Sequence, residues 1–163
     1  MELLPVDFSD VLGCFLEDSV EFLVVGAFAL AAHGVSRATG DLDIWVNPTE
    51  PNSHRVYRAL GRFGAPLAAH AVGVTDFARP GTVYQMGLPP LRIDVLTAPS
   101  GVEFPEAWRD RLSVSLGGQA VPVLGLGHLV RNKAAAGRAQ DLADLALLRE
   151  AGVAVEALLL GRR

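Results

Sequence analysis

Two aspartates one residue apart, Asp41 and Asp43, stand in a run of strand formers that continues through Ile44-Trp45-Val46. Strand side chains alternate between faces, so both carboxylates point one way while Leu42 and Ile44 point into a core. Like charges side by side on one face repel, and a sequence meant only to fold avoids them. A divalent cation turns that repulsion into coordination, and Mg²⁺ favours a few carboxylate oxygens plus substrate phosphates over a complete protein cage. The pattern asks for a sheet that keeps one face for polar chemistry.

A third carboxylate completes such a site. Asp94, in Arg92-Ile-Asp-Val-Leu-Thr97, repeats the alternation: Ile93 and Val95 face a core while Asp94 faces a cleft. Adjacent strands lie about 5 Å apart, so acids on two of them can share metals. Two-metal phosphoryl chemistry uses that geometry, one ion on the triphosphate and one on the attacking hydroxyl. The plainer alternatives are a turn or cap role for Asp41 and Asp43, and a surface pairing of Asp94 with Arg92. Upstream, Gly26 lies between the apolar run Phe22-Leu-Val-Val25 and a helical stretch. Glycine there permits a tight turn and lets phosphate approach the first backbone N–H groups of the helix.

The rest of the chain reads as mixed α and β. Helices are predicted over about Asp7 to Asp18, Ala27 to His33, Ser53 to Phe63, Glu103 to Arg111, Leu126 to Ala136 and Arg138 to Glu150, with a last apolar turn or two in Val153 to Leu160. Asp7 or Ser9 is the expected cap of the first, and Pro48 to Pro51 reads as a turn before the third. Strands are predicted at Phe22 to Val25, Leu42 to Val46, Val83 to Gly87, Leu91 to Leu96, Leu112 to Leu116 and Ala120 to Leu124, the last two flanking Gly117-Gly118. Strands and helices do not alternate strictly. That argues for an α+β fold, with a mixed sheet and helices mainly on one side, over a doubly wound parallel sheet. Residues 64 to 90 carry glycines, prolines and short apolar runs, which suggest loops shaping an acceptor side.

The 163 residues fit one domain, 1–163, and can bury a core without disulfide or metal staples. Half are hydrophobic and 20% charged, a globular composition. A net charge of -4 gives no overall basic footprint for nucleic acid. Cys14 is the only cysteine, which excludes an internal disulfide and fits a reducing cytoplasm. The longest apolar run, Phe22 to Ala32, is about half of what a bilayer span requires. A soluble cytoplasmic protein with no membrane role is expected.

The segment Phe22 to Val46, with its glycine at a helix start and its acid–apolar–acid triplet about a dozen residues on, resembles the signature of the nucleotidyltransferase superfamily typified by DNA polymerase beta. The run Arg37-Ala-Thr39-Gly-Asp-Leu-Asp43 is similar to bacterial abortive-infection (AbiEii-type) toxins and minimal nucleotidyltransferases. The resemblance extends to Leu91–Thr97 and to the tail from Gly127 to Asp144. It implies a nucleotidyltransferase fold and a Mg²⁺ (or Mn²⁺) site at Asp41, Asp43 and Asp94. It further implies transfer of a nucleoside monophosphate from an NTP to RNA, a protein or a small molecule, and a possible toxin–antitoxin partner. Gly26, Ala27, Arg37, Lys133, Arg138 and Asp141 are the implied nucleotide-side residues.

Lys133 is the only lysine beside thirteen arginines, and a compact ammonium suits a triphosphate. Arg138 and Asp141 stand three apart, so they either pair on a helix or join the site. Arg37 either contacts phosphate or anchors its loop. Asp144 reads as an exposed helix acid, His33 as a structural histidine, and Trp45 and Trp108 as packing residues. The family pattern has Gly or Ser where this chain has Ala27, which keeps the backbone donor and lacks a hydroxyl. That departure motivates the alternative of an inert nucleotidyltransferase-fold binding module, an antitoxin-like partner.

Overall fold

The computed structural model describes residues 4–88 and 90–161. These form six strands, seven α-helices and one short 3-10 turn. The strands are β1 (Phe22–Val25), β2 (Asp41–Val46), β3 (Val83–Leu88), β4 (Leu91–Leu96), β5 (Leu112–Leu116) and β6 (Gln119–Val123). They make one mixed sheet in the order β3-β4-β2-β1-β6-β5. The α+β architecture expected from the sequence is the one observed.

β1 is apolar throughout and buried along its whole length, which suits a central strand. It runs antiparallel to β2 and parallel to β6. β2 and β4 are parallel neighbours, which requires a crossover; the chain makes it through α3 (Glu50–Phe63), the segment 64–82 and the hairpin strand β3. The alternation read from the sequence holds on both strands. Leu42, Ile44, Ile93 and Val95 are buried with Tyr84 and Met86 of β3, while Asp41, Asp43, Arg92 and Asp94 lie half-buried on the opposite face.

The helices α1 (Val6–Glu17) and α3 pack on each other, and Phe8, Val11, Leu12 and Phe15 of α1 meet Val56, Ala59 and Leu60 of α3 in the core. α1 starts after Pro5, with no side-chain cap; the expected caps fall inside the helix, where Ser9 sits beside Gln119. The Pro48–Pro51 stretch is likewise corrected. Pro51 belongs to the first turn of α3, where a missing N–H costs nothing, and Thr49 caps the helix by accepting from the Asn52 N–H at 3.3 Å. Asn52 is fully buried, donates to the Glu21 and Asn47 carbonyls and accepts from the Glu21 N–H, tying α3 to the start of β1.

The segment 64–82 is anchored by Phe77, fully buried in the 3-10 turn Asp76–Ala78 against α3. The Ser53 hydroxyl holds it in place, accepting from the Phe77 N–H at 3.0 Å and donating to the Val74 carbonyl at 2.7 Å. Short α4 (Phe104–Arg109) puts Phe104 edge-on to Trp45, at 5.1 Å between centroids, and stacks it on Trp108. Both tryptophans pack as expected, and the Trp45 indole N–H donates to the Thr97 carbonyl. α5 (Leu126–Ala136), α6 (Ala139–Glu150) and α7 (Val155–Leu160) close the chain, α5 touching both α6 and α7. No helix among the described residues is long and apolar enough to cross a membrane.

Candidate active site

The parallel ladder sets the geometry. In the β2–β4 register Asp41 stands beside Arg92 and Asp43 beside Asp94. The two strands thus present a rectangle on one face: three carboxylates and one guanidinium. The Asp43 and Asp94 carboxyls lie within hydrogen-bonding reach of each other. Burial, and then the negative charges of Asp94 and Asp41, push the Asp43 carboxyl up to about 6. Arg138 is near enough to pull it slightly back.

The β1–β2 ladder adds the floor of the site. Val25 pairs with Asp43, which places Gly26, the next residue, under the Asp43 side chain. Gly26 has φ +69°, and a Cβ there would stand 2.3 Å from Asp43 Oδ2. The sequence had marked Gly26 as a turn; the structure gives it a second task, clearing space for the carboxylate. Ala27 follows it, buried at the start of α2 (Gly26–Ala32). Gly40, just before β2, meets Pro90, just before β4: a Cβ on Gly40 would overlap the Pro90 carbonyl oxygen, and the Gly40 carbonyl accepts from the Arg92 N–H at 2.8 Å. The segments feeding the two acidic strands are therefore locked together. Thr39 shapes its loop as expected, its hydroxyl accepting from the Asp41 N–H at 3.1 Å.

The remaining nucleotide-side candidates gather in a second cluster, centred on α5 and α6. Lys133 is buried, with Nζ 2.8 Å from Asp144 Oδ2 and 3.6 Å from Asp141 Oδ1. Arg37 reaches from the loop before β2 and closes on Asp144 at 2.7 Å and 3.1 Å. Gln140 adds a fourth donor bond to Asp144 at 2.9 Å. Asp144 is thus no exposed helix acid. It is fully buried, because two cations and an amide replace the water it gave up. Burial alone raises its carboxyl, but the bonds from Arg37 and Lys133 outweigh that and hold it below the usual carboxylate range.

Asp141 is similar. Burial raises it, and the bond from Arg138 with the Arg138 and Lys133 charges brings it below normal. Its carboxylate accepts from the backbone N–H and the side chain of Arg138, capping α6 at its first turn. The Arg138 side chain is 78% exposed, against 4% for Lys133 and Asp141, so it alone of these three faces solvent. Asp144 was missed because a helical acid is ordinarily a solvated one. Its signal was the three-residue spacing to Asp141, which puts both acids on one helix face behind the only lysine. Arg92, two residues from Asp94 on one strand face, reads in the sequence only as an ion-pair partner.

His33 is structural, its Nε2 bonded to the Leu124 carbonyl at 2.8 Å. A cleft of about 640 Å³ lies toward the C-terminal ends of β2 and β4, lined by Trp45, Thr97, Phe104, His128 and Arg131 among others, and includes none of the three aspartates. Among the described residues no three His, Cys, Asp or Glu side chains converge closely enough to hold a metal ion. Asp41 turns instead to Arg92, at 3.3 Å. The donor set still suits a hard divalent cation: all oxygen, with Asp94 Oδ1 buried and without a hydrogen-bond partner among the described residues.

The mixed sheet and its helices are a fold shared with solved nucleotidyltransferase structures. A Thermotoga maritima protein assigned as a nucleotidyltransferase superposes with a TM-score of 0.58 at 15% identity, over 85% of this chain and 88% of that one. The antibiotic-resistance factor ANT(2'')-Ia does so with a TM-score of 0.55 at 14% identity, over 93% of this chain and 86% of that one. No curated protein matches the sequence. Residues 6–160 match the family described as nucleotidyl transferase of unknown function (DUF2204), and the chain belongs to that family.

Proposed function

We propose that the chain, acting as one nucleotidyltransferase-like domain, moves a nucleoside monophosphate from an NTP to an acceptor hydroxyl on the face formed by Asp41, Asp43 and Asp94. The observation that carries this reading is the register that sets Asp43 beside Asp94 and above Gly26. Asp41, Asp43 and Asp94 would hold Mg²⁺ or Mn²⁺. Bound there, the ion would supply charge neutralisation at the phosphates and make the acceptor hydroxyl more acidic.

The chain's own groups position the rest. Asp94 orients the acceptor hydroxyl and takes its proton. The hydroxyl oxygen then bonds to the α-phosphorus, the α–β phosphoanhydride breaks, and pyrophosphate leaves. Gly26 and Ala27 line the nucleotide side, and Arg138, exposed and electrostatically coupled to Asp43, offers a cation to the phosphates. Lys133, Arg37 and Asp141 serve the nucleotide side indirectly, by holding the loop before β2 and the start of α6 in place. Catalysis is then mainly positioning and charge neutralisation.

Within the family we place the chain nearest the abortive-infection and minimal nucleotidyltransferase groups, in the cytoplasm, with a toxin–antitoxin partner as the first kind of partner to seek. The acceptor is RNA, a protein or a small molecule; the likeness to an antibiotic-resistance factor puts antibiotics among the small molecules to try. The test is transfer of label from α-phosphate-labelled ATP, CTP, GTP and UTP into lysate with Mg²⁺, by wild type and by Asp43→Asn. Label that the variant cannot place establishes the transferase, and its sensitivity to RNase or protease names the acceptor. Transfer undiminished in Asp43→Asn would sink the assignment. No label and no Mg²⁺–NTP binding would favour the inert partner module, which Ala27 motivates.

A further inference from the structure

Arg92 is the fourth corner of the rectangle. Its guanidinium reaches both ways, with Nη2 3.3 Å from Asp41 Oδ2 and Nε 3.4 Å from Asp94 Oδ1. Neither contact is tight. Nε and Asp94 Oδ1 are both buried, and neither has a hydrogen-bond partner among the described residues. Their approach is charge attraction without an aligned bond.

Other arginines of this chain make aligned bonds. Arg37 meets Asp144 with two bonds, the shorter 2.7 Å, and Arg138 meets Asp141 at 2.6 Å. Even Arg62, which spans the carboxylates of Glu17 and Asp18 at the surface, makes an aligned bond to each, at 3.0 Å and 3.1 Å. Arg92 is spread over two, on the face the chemistry needs, and leaves a buried donor and a buried acceptor poorly used. Such a contact is easily broken.

We propose that Arg92 is a tethered counter-ion of the carboxylate face, which neutralises Asp41 and Asp94 before a divalent cation arrives and gives way to it, so that it sets the affinity of the site for that cation. This rests on the reading that the three aspartates hold the cation. Without Arg92 the rectangle carries three like charges at neighbouring positions of paired strands, an arrangement that repels itself. With it, an incoming cation meets a positive charge a few ångströms away and must move it. The device keeps the sheet face intact while the cation is absent, at a cost in cation affinity.

The experiment is Mn²⁺ titration of the full chain without NTP, with free Mn²⁺ followed by electron paramagnetic resonance, on wild type, Arg92→Gln, Arg92→Lys and Asp43→Asn. Arg92→Gln should bind Mn²⁺ at least ~10-fold more tightly than wild type, and Arg92→Lys, which keeps the charge, should stay within about threefold. In EDTA the Arg92→Gln protein should melt below wild type, and Mn²⁺ should restore it. Arg92→Met replaces Arg92→Gln if the latter does not fold. Equal or weaker binding by Arg92→Gln overturns the counter-ion role and leaves the carboxylate site standing. Binding that Asp43→Asn shares in full, or no binding by any of the proteins, overturns the carboxylate site and the counter-ion with it.

Discussion

Gly26 shows how one atom can decide a site. Its φ of +69° is one that other residues adopt only under strain, and the space a methyl would fill is held by Asp43 Oδ2. Gly26→Ala should destabilise the fold by about 1–3 kcal/mol in urea denaturation. It should also lower transfer by ~100-fold or more by displacing the carboxylate. Wild-type activity in a folded Gly26→Ala protein would mean that Asp43 has room to spare. The sequence marked this glycine for its turn, and it marked Asp41, Asp43 and Asp94 by strand alternation and by their resemblance to a family signature. The contact between Gly26 and Asp43 was not legible, because it depends on a pairing register between two strands fifteen residues apart. Arg92 was hidden for a similar reason: its neighbour Asp41 is 51 positions away in the chain.

At the scale of elements, the α5–α6 pair and the loop before β2 are joined by charges that have left water. Lys133 satisfies Asp144 and supports Asp141, and Arg37 carries the same bond to the loop that leads into the paired acids. Removing Lys133 leaves Asp144 to Arg37 and Gln140 and Asp141 to Arg138, so two buried carboxylates share too little positive charge. Lys133→Met should therefore cost about 3–5 kcal/mol in chemical denaturation. A lysine that mainly held triphosphate would give the other result, unchanged stability with a raised KM for the NTP. Most element positions were readable from apolar periodicity and from Gly and Pro punctuation. The errors came where tertiary structure overrode local signals: Pro51 inside a helix because its first turn tolerates proline, and Asp144 buried because Arg37 and Lys133 meet it. The segment 64–82 was opaque because its order depends on scattered side chains, Leu67 and Phe77, entering a core assembled with α3.

Across the whole molecule two groups of acids pull stability in opposite directions with pH. Asp43 has its folded carboxyl raised to about 6, so the folded state keeps a proton that the unfolded chain releases near pH 4. Its contribution is fully present below the unfolded value, fades as pH rises through 6, and leaves a cost of about 3 kcal/mol at most, before solvent screening. Asp141 and Asp144 are held below the usual range, so their contribution is present above the unfolded carboxylate value and is lost as pH falls through their folded values. In EDTA, Asp43→Asn should therefore be more stable than wild type at pH 8, and the gap should close toward pH 4. Urea midpoints at pH 4, 6 and 8 read this directly, and a pH-independent gap would show that Asp43 is not strained by its neighbours. The sequence could indicate a mixed sheet but not the order β3-β4-β2-β1-β6-β5, since strand neighbours across a crossover leave no local trace. That order has a consequence. Gly26, Asp41 and Asp43 come from before the segment 64–82, and Asp94, Lys133 and Arg138 from after it, while β4 inserts between β2 and β3. A chain opened within that largely exposed segment would yield two fragments, each holding half of the proposed site, that can rebuild it only by annealing along two ladders, β2 on β4 and β1 on β6.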